Sequence, residues 1–390
     1  MIPRHARDTL SQLVEGYPVV AVTGPRQSGK TTLVRAMFDD RPYVSLEDLD
    51  EAELATQDPR AFLRRFPDGA VLDEVQRAPQ LFSYLQTWVD DDGRMGRFIL
   101  TGSQQFDLMS KITQSLAGRV ALVPLLPFTL GELAATERAP ESLEALLFRG
   151  LYPPIHDRPL DPSIWFGNYV RTYLERDVRQ MVNVRDLSAF QRFLRLCAGR
   201  TGQLLNLSSL GNDCGINHNT AKSWLSVLEA SYIIHLLQPH FQNFNKRLTK
   251  TPKLYFYDTG LAAWLLGIQN AGQLETHPLR GELFETWVIS ELIKARFNRA
   301  LTSNLTFWRS RGGLEVDALI DRGNVLVPVE IKSGQTFATG WLRGLEQWSA
   351  LAGDLAGHPW LVYGGEGGQS RSKAENVPWR EVGSLAMALD

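Results

Sequence analysis

Cysteine is nearly absent from this 390-residue chain, since only Cys197 and Cys214 occur and their spacing is not that of a metal knuckle. That excludes a disulfide scaffold and predicts two buried free thiols in a reducing compartment. No run of ~18 apolar residues is present, so no segment reads as a membrane-spanning helix and no membrane partner is expected. Residues 1–8 lack the apolar stretch of a secretion signal, which leads to the expectation of a cytoplasmic protein. Charge of one sign is missing as well. The 41 basic and 43 acidic residues leave a net charge of -2, which excludes a globally basic nucleic-acid coat but not local patches. What the chain does have is length and apolar content: 44% hydrophobic and 22% charged residues predict a globular protein of two or three domains.

Residues 24–31 read Gly-Pro-Arg-Gln-Ser-Gly-Lys-Thr, directly after the apolar run 17–23 and directly before a helical pattern. This is a complete phosphate-binding loop. Gly24 and Gly29 let the backbone curl around phosphate, Pro25, Arg26, Gln27 and Ser28 form the cradle, and the helix entered through Lys30, Thr31 and Thr32 presents its positive end. Lys30 is placed to reach the β- and γ-phosphates, and Thr31 to hold Mg²⁺, so ATP and Mg²⁺ are the expected cofactors.

The run 69–74 is apolar and ends in Asp73 and Glu74, as a buried parallel strand does when its carboxyl end opens into a site. Asp73, expected on a strand neighbouring the loop, would bind Mg²⁺, and Glu74 would polarise the attacking water. A third strand over 97–103 ends in hydroxyl residues; Ser103 or Thr101 either senses the γ-phosphate or, in the case of Ser103, caps a turn. Arg119 is either a transition-state arginine acting on a neighbouring subunit or a surface residue. Residues 125–133 are expected at the outer edge of the sheet, with the polar stretch 134–142 approaching a boundary.

Across these stretches, and at Leu116-Ala117-Gly118-Arg119, the chain resembles the AAA-type ATPases of bacteria and archaea that carry a C-terminal domain of formerly unknown function. The resemblance implies an ATPase fold with Mg²⁺ and self-association into a homo-oligomer.

Residues 165–200 are helical by period and rich in arginine, which fits a solvated face as well as a phosphate-binding one. Over 207–228 the pattern is helix, glycine turn, helix, with Asn217 as cap and His218, Asn219, Lys222 and Ser223 facing outward from the second helix. A basic stretch follows, with Lys246, Arg247, Lys250 and Lys253, and then the strand 254–257. That order predicts a winged helix whose hairpin touches DNA phosphates, or a protein-binding module of the same shape. Residues 246–261 are also similar to the most characteristic stretch of that C-terminal domain, and Asp258 is expected to cap a helix from 259 that Gly267 ends.

In the last third, 314–320 and 325–332 flank Asp321-Arg322-Gly323-Asn324. A two-residue turn at Gly323-Asn324 sets Asp317 opposite Glu330, with Lys332 on the same face. Two carboxylates and a lysine suit Mg²⁺-assisted phosphodiester cleavage. The spacing resembles the restriction-endonuclease-like nuclease fold, which implies a further acid from a preceding helix; Glu285 is the first choice and Glu282 the second. Alternatives are a solvent-facing hairpin or a nuclease fold that no longer cuts.

The fold class expected is therefore α/β: a P-loop AAA+ parallel sheet over 1–145, a helical and winged-helix domain over 146–275, and an α/β restriction-endonuclease-like PD-(D/E)xK domain over 276–390. The function expected is Mg²⁺-dependent ATP hydrolysis acting on DNA, coupled to remodelling or to cleavage at Asp317, Glu330 and Lys332. The alternative is a nucleotide-controlled oligomeric switch that binds DNA or protein without cutting.

Overall fold

The computed structural model describes residues 2–103, 115–174, 186–240, 250–367, 369–371 and 373–388, which form two compact units.

The first unit comprises Met1–Phe128, Ala230–Tyr232 and Arg296–Thr302. Its centre is a parallel sheet of β1 (Val19–Thr23), β2 (Tyr43–Ser45), β3 (Ala70–Asp73), β4 (Phe98–Gly102) and β5 (Val120–Pro124), in the order β2-β3-β4-β1-β5. β1, β3 and β4 are buried throughout, as continuous apolar runs covered on both faces should be. Alternation divides each strand between two cores. Val19 and Ala21 join Leu72, Leu100 and Phe62 on one side, whereas Val20 and Val22 join Val71, Ile99 and Leu33 on the other. Two expectations need correction. β4 intervenes between β1 and β3, so Asp73 reaches the loop from two strands away rather than from the next strand. The outer strand beside β1 is β5, while the segment after it forms the helix Leu130–Ala134 instead of a sheet edge.

The second unit holds the remaining residues. The helices Leu187–Ala198, Leu207–Cys214 and His218–Ala230 stand in chain order around β6 (Gln203–Leu204), β7 (Ile234–Leu237) and β8 (Lys253–Phe256), which form an antiparallel sheet in the order β6-β8-β7. Gly215, left-handed at φ 73°, ends one helix, and Asn217 begins the next by accepting the Thr220 N–H at 2.8 Å. Leu210, Cys214, Ala221, Trp224, Leu225 and Leu228 are buried. Asp258 caps the helix Thr259–Leu265 by accepting the Leu261 N–H at 3.0 Å, and its second oxygen accepts the Leu151 N–H at 2.7 Å.

A six-stranded mixed sheet follows in the same unit: β9 (Leu305–Arg309), β10 (Glu315–Asp321), β11 (Leu326–Lys332), β12 (Trp360–Tyr363), β13 (Gln369–Arg371) and β14 (Ala374–Pro378), ordered β13-β14-β12-β11-β10-β9. β10 and β11 pair in the register Ala318↔Val329 to Asp321↔Leu326, and the Arg322 N–H reaches the Val325 carbonyl at 3.0 Å. This is the register set by the Gly323 turn, and it puts Asp317 opposite Glu330. β10 slips against β9 between Val316 and Leu319, so Asp317 sits where the ladder is irregular, a usual way to aim a side chain. Among the described residues, no helix is long and apolar enough to cross a membrane.

Candidate functional sites

At the carboxyl end of β1 the Thr23 carbonyl accepts the Leu125 N–H at 2.7 Å, and the chain then turns through Gly24 at φ 143°. A Cβ at Gly24 would lie 2.2 Å from the Leu125 carbonyl oxygen, so only glycine fits. Gln27 at φ 64° and Gly29 at φ 92° complete the curl into the helix Lys30–Met37. Pro25 and Ser28 are buried, Arg26 and Thr31 half-buried, and Gln27 and Thr32 exposed. The buried Lys30 ammonium donates to the Gly24 and Pro25 carbonyls at 3.0 and 2.8 Å, curled over the loop where phosphate oxygens would sit. Ser28 Oγ is buried without a hydrogen-bond partner, a donor left over for a ligand.

Asp73 and Glu74 meet this loop. Thr31 donates to the Asp73 carboxylate at 3.0 and 3.2 Å, Tyr43 donates to it at 2.6 Å, and Thr101 does so as well. Burial, and then the hydrogen bond to Asp73, push the Tyr43 phenol well above its usual range, so it stays a donor. A hydroxyl and a carboxylate side by side are oxygen donors of the kind Mg²⁺ takes, so Thr31 and Asp73 fit that ion. Glu74 adopts a left-handed backbone at φ 54°, and its carboxylate accepts from Gln76 and, at 3.2 Å, from Ser103. Strain at a carboxylate beside a phosphate loop is the kind that marks reactive positions. Ser103 thus touches Glu74, and Thr101 touches Asp73.

Arg119 is elsewhere. It precedes β5, whose first residue pairs with Val19, so it lies at the amino end of the sheet, opposite the loop and about 16 Å away along five strand residues. Its guanidinium grips Asp90 in two places, at 2.5 and 2.8 Å. Within its own chain it does not reach the phosphate loop.

In the second unit His218, Asn219, Lys222 and Ser223 are all exposed on the helix His218–Ala230. Lys250 is exposed too, while Lys246 and Arg247 lie outside the described residues. Lys253 departs from its basic-hairpin assignment. It is 3% exposed and its ammonium is bound by Glu285 at 2.9 Å and Glu315 at 2.6 Å, because β8 carries it inward.

Asp317, Glu330 and Lys332 come together as expected. Lys332 Nζ lies 2.5 Å from Glu330 and 3.4 Å from Asp317, and Asp317 also accepts the Ile331 N–H at 2.8 Å. Burial, reinforced by the Asp317 charge, pushes the Glu330 carboxyl up to about 8. Burial works against the Lys332 ammonium, but Asp317 and Glu330 outweigh it and hold its pKa above the ordinary value. One Glu330 oxygen is buried with no hydrogen-bond partner, so this acid retains a free ligand position. Glu285 lines the same 660 Å³ cavity as Asp317 and Lys332, but its carboxylate is taken by Lys253 and, at 2.5 Å, by Tyr255. Among the described residues no three acidic, histidine or cysteine side chains form a metal-type cluster. Glu282 lines the cavity without joining the acids.

Lys253, Tyr255 and Glu315 escape a search for nuclease motifs. The signal for Glu315 was available, since it lies two residues before Asp317 and so on the same strand face. Lys253 and Tyr255 are brought in by a different sheet. A second cavity, of 720 Å³, lies against Glu315 and is lined by Arg311, Gly312, Arg343 and Gly344.

Residues 16–134 match the family model described as an AAA domain, residues 140–272 a domain of unknown function (DUF8612), and residues 280–382 another (DUF4143). The stretch 246–261 therefore belongs to the middle match and not to the C-terminal domain to which its sequence was likened. The uncharacterized protein Rv2008c of Mycobacterium tuberculosis and Mb2031c of Mycobacterium bovis are each 32% identical over 339 residues, covering 85% of this chain and 74% of theirs. The Walker-type ATPase of Pyrococcus abyssi is 17% identical with a TM-score of 0.45, covering 68% of this chain and 96% of that one. The chain belongs to the family of these mycobacterial proteins, and it carries a P-loop AAA-type ATPase domain ahead of a DUF4143 domain.

Proposed function

We propose that this protein is a Mg²⁺-dependent ATP hydrolase that acts on DNA. The observation that carries the first half is the pairing of Thr31 with Asp73 at 3.0 Å beside the buried Lys30 ammonium. In that reading Gly24–Thr32 hold the triphosphate, and Thr31 and Asp73 would hold a Mg²⁺ ion, which would supply charge neutralisation for phosphoryl transfer. Glu74 orients water, and Ser103 and Thr101 hold the two acids in place. Arg119, lying at the far end of the sheet, serves the site of a neighbouring copy, so the working form is a homo-oligomer.

Action on DNA is supported by the order helix, strand, helix, helix, strand, strand over 187–256 and by the exposed His218, Asn219 and Lys222, the layout of a winged helix with an outward recognition face. We read the organisation as three parts meeting near residues 145 and 275. For the C-terminal part, Asp317, Glu330 and Lys332 suit a nuclease-like site, with Mg²⁺ held by the two acids. The engagement of Glu285 by Lys253 and Tyr255 favours a second reading, in which this part binds DNA without cutting it. Arg311 and Arg343, exposed beside the acids, are suited to backbone phosphates.

Plasmid and linear DNA incubated with Mg²⁺ or Mn²⁺, with and without ATP, test the choice against Asp317→Ala. Cleavage that Asp317→Ala abolishes establishes the nuclease; retention without cleavage establishes the binding module; neither cleavage nor retention removes DNA from the proposal.

A further inference from the structure

We propose that Tyr232 is a positioning residue for the phosphate loop. The segment Ala230–Tyr232 belongs to the first unit although its sequence neighbours belong to the second. Tyr232 is 4% exposed, and its hydroxyl meets Thr23 Oγ1 at 2.8 Å, across 209 residues of sequence. Its backbone is left-handed at φ 56°, where a bulky aromatic is strained and persists only when its surroundings enforce it. Here the enforced conformation brings the hydroxyl to Thr23.

The partner is the last residue of β1. Thr23 is 2% exposed, its carbonyl is fixed by Leu125, and the next residue is Gly24, whose carbonyl accepts the Lys30 ammonium at 3.0 Å. The entry to the loop is therefore held twice, through its main chain by Leu125 and through its side chain by Tyr232. Burial pushes the Tyr232 phenol up to about 12, so it remains neutral across the physiological range and keeps its hydrogen. A hydroxyl buried on a central strand is costly without a partner, which gives Thr23 a reason to need Tyr232. Fixing the loop in one conformation raises the fraction of molecules ready to bind nucleotide, and apparent affinity rises with that fraction.

The inference rests on residues 24–31 being the nucleotide site. The test uses the full chain as wild type, Tyr232→Phe, Thr23→Val, the double variant and Thr23→Ser, measuring Kd for ATP by competition with a fluorescent analogue, alongside Tm. One hydrogen bond is worth about 2- to 10-fold. Tyr232→Phe and Thr23→Val should each weaken ATP binding by that factor, the double variant should be no weaker than the poorer single, and Thr23→Ser should bind as wild type. An unchanged Kd in Tyr232→Phe with a lowered Tm would make the tyrosine a structural prop and overturn the inference, as would losses that multiply in the double variant. A wild type that binds no ATP defeats the site assignment and this inference together, whereas normal wild-type binding with an unaffected Tyr232→Phe defeats only the inference.

Discussion

Replacing Lys253 with methionine separates a buried electrostatic brace from a DNA contact. The ammonium is 2.9 Å from Glu285 and 2.6 Å from Glu315, and its side chain is 4% exposed. With an effective dielectric of about 20, the attraction to Glu285 alone is about 6 kcal/mol. Not all of that is lost, because burial and the Asp317 charge already push the Glu285 carboxyl up to about 7, and without the lysine it takes up a proton instead. The net loss expected is about 3–5 kcal/mol, the usual cost of leaving a buried charge unpaired. The sign of the pH dependence follows from the same shift. Lys253→Met raises the folded pKa of Glu285 further above its unfolded value, so stability is kept at low pH and lost as pH rises through the folded pKa. Urea midpoints at about pH 6 and about pH 8.5 should show the larger deficit at the higher pH, and Glu285→Gln in the same background should recover much of it. A deficit below about 1 kcal/mol at the higher pH, or no recovery, would refute the brace.

Gly150→Ala puts a Cβ 2.3 Å from the Asp258 carboxylate at a residue with φ 63°, so thermal melting should drop by several degrees and a Gly150→Ser control should fare no better. Glu330, raised to about 8, stabilises the fold most below its ordinary value of 4.5 and loses that contribution as pH climbs to about 8. Glu330→Gln should therefore flatten Tm against pH in metal-free buffer, and an unchanged slope would show that another group titrates there. Arg311→Ala with Arg343→Ala should lower DNA affinity and reduce the slope of log K against log salt by about 2, and an unaltered slope would take both arginines off the phosphates.

The nucleotide site was legible because its parts are local: one loop fixes Gly24 to Thr31 in sequence, and strands ending in Asp73 and Ser103 declare themselves by apolar runs. The strand order was not, since nothing in the sequence says that β4 inserts between β1 and β3. Turn chemistry gave the Asp317–Glu330 register, because a two-residue turn at Gly323 leaves one pairing that keeps the apolar face inward. Lys253 belongs to a basic run that looks like a solvated hairpin until the strand that follows turns this one member inward. Glu285 was found on its helix, yet its partners Lys253 and Tyr255 come from another sheet, a contact that only tertiary packing creates.

The most direct test of the central claim is steady-state ATP hydrolysis by purified protein in Mg²⁺, compared with Lys30→Ala. Lys30 is 6% exposed and curled over the loop, so its loss should abolish turnover while leaving the melting of the second unit unchanged. Hydrolysis by Lys30→Ala at the wild-type rate, or none by the wild type with or without DNA, would contradict the account.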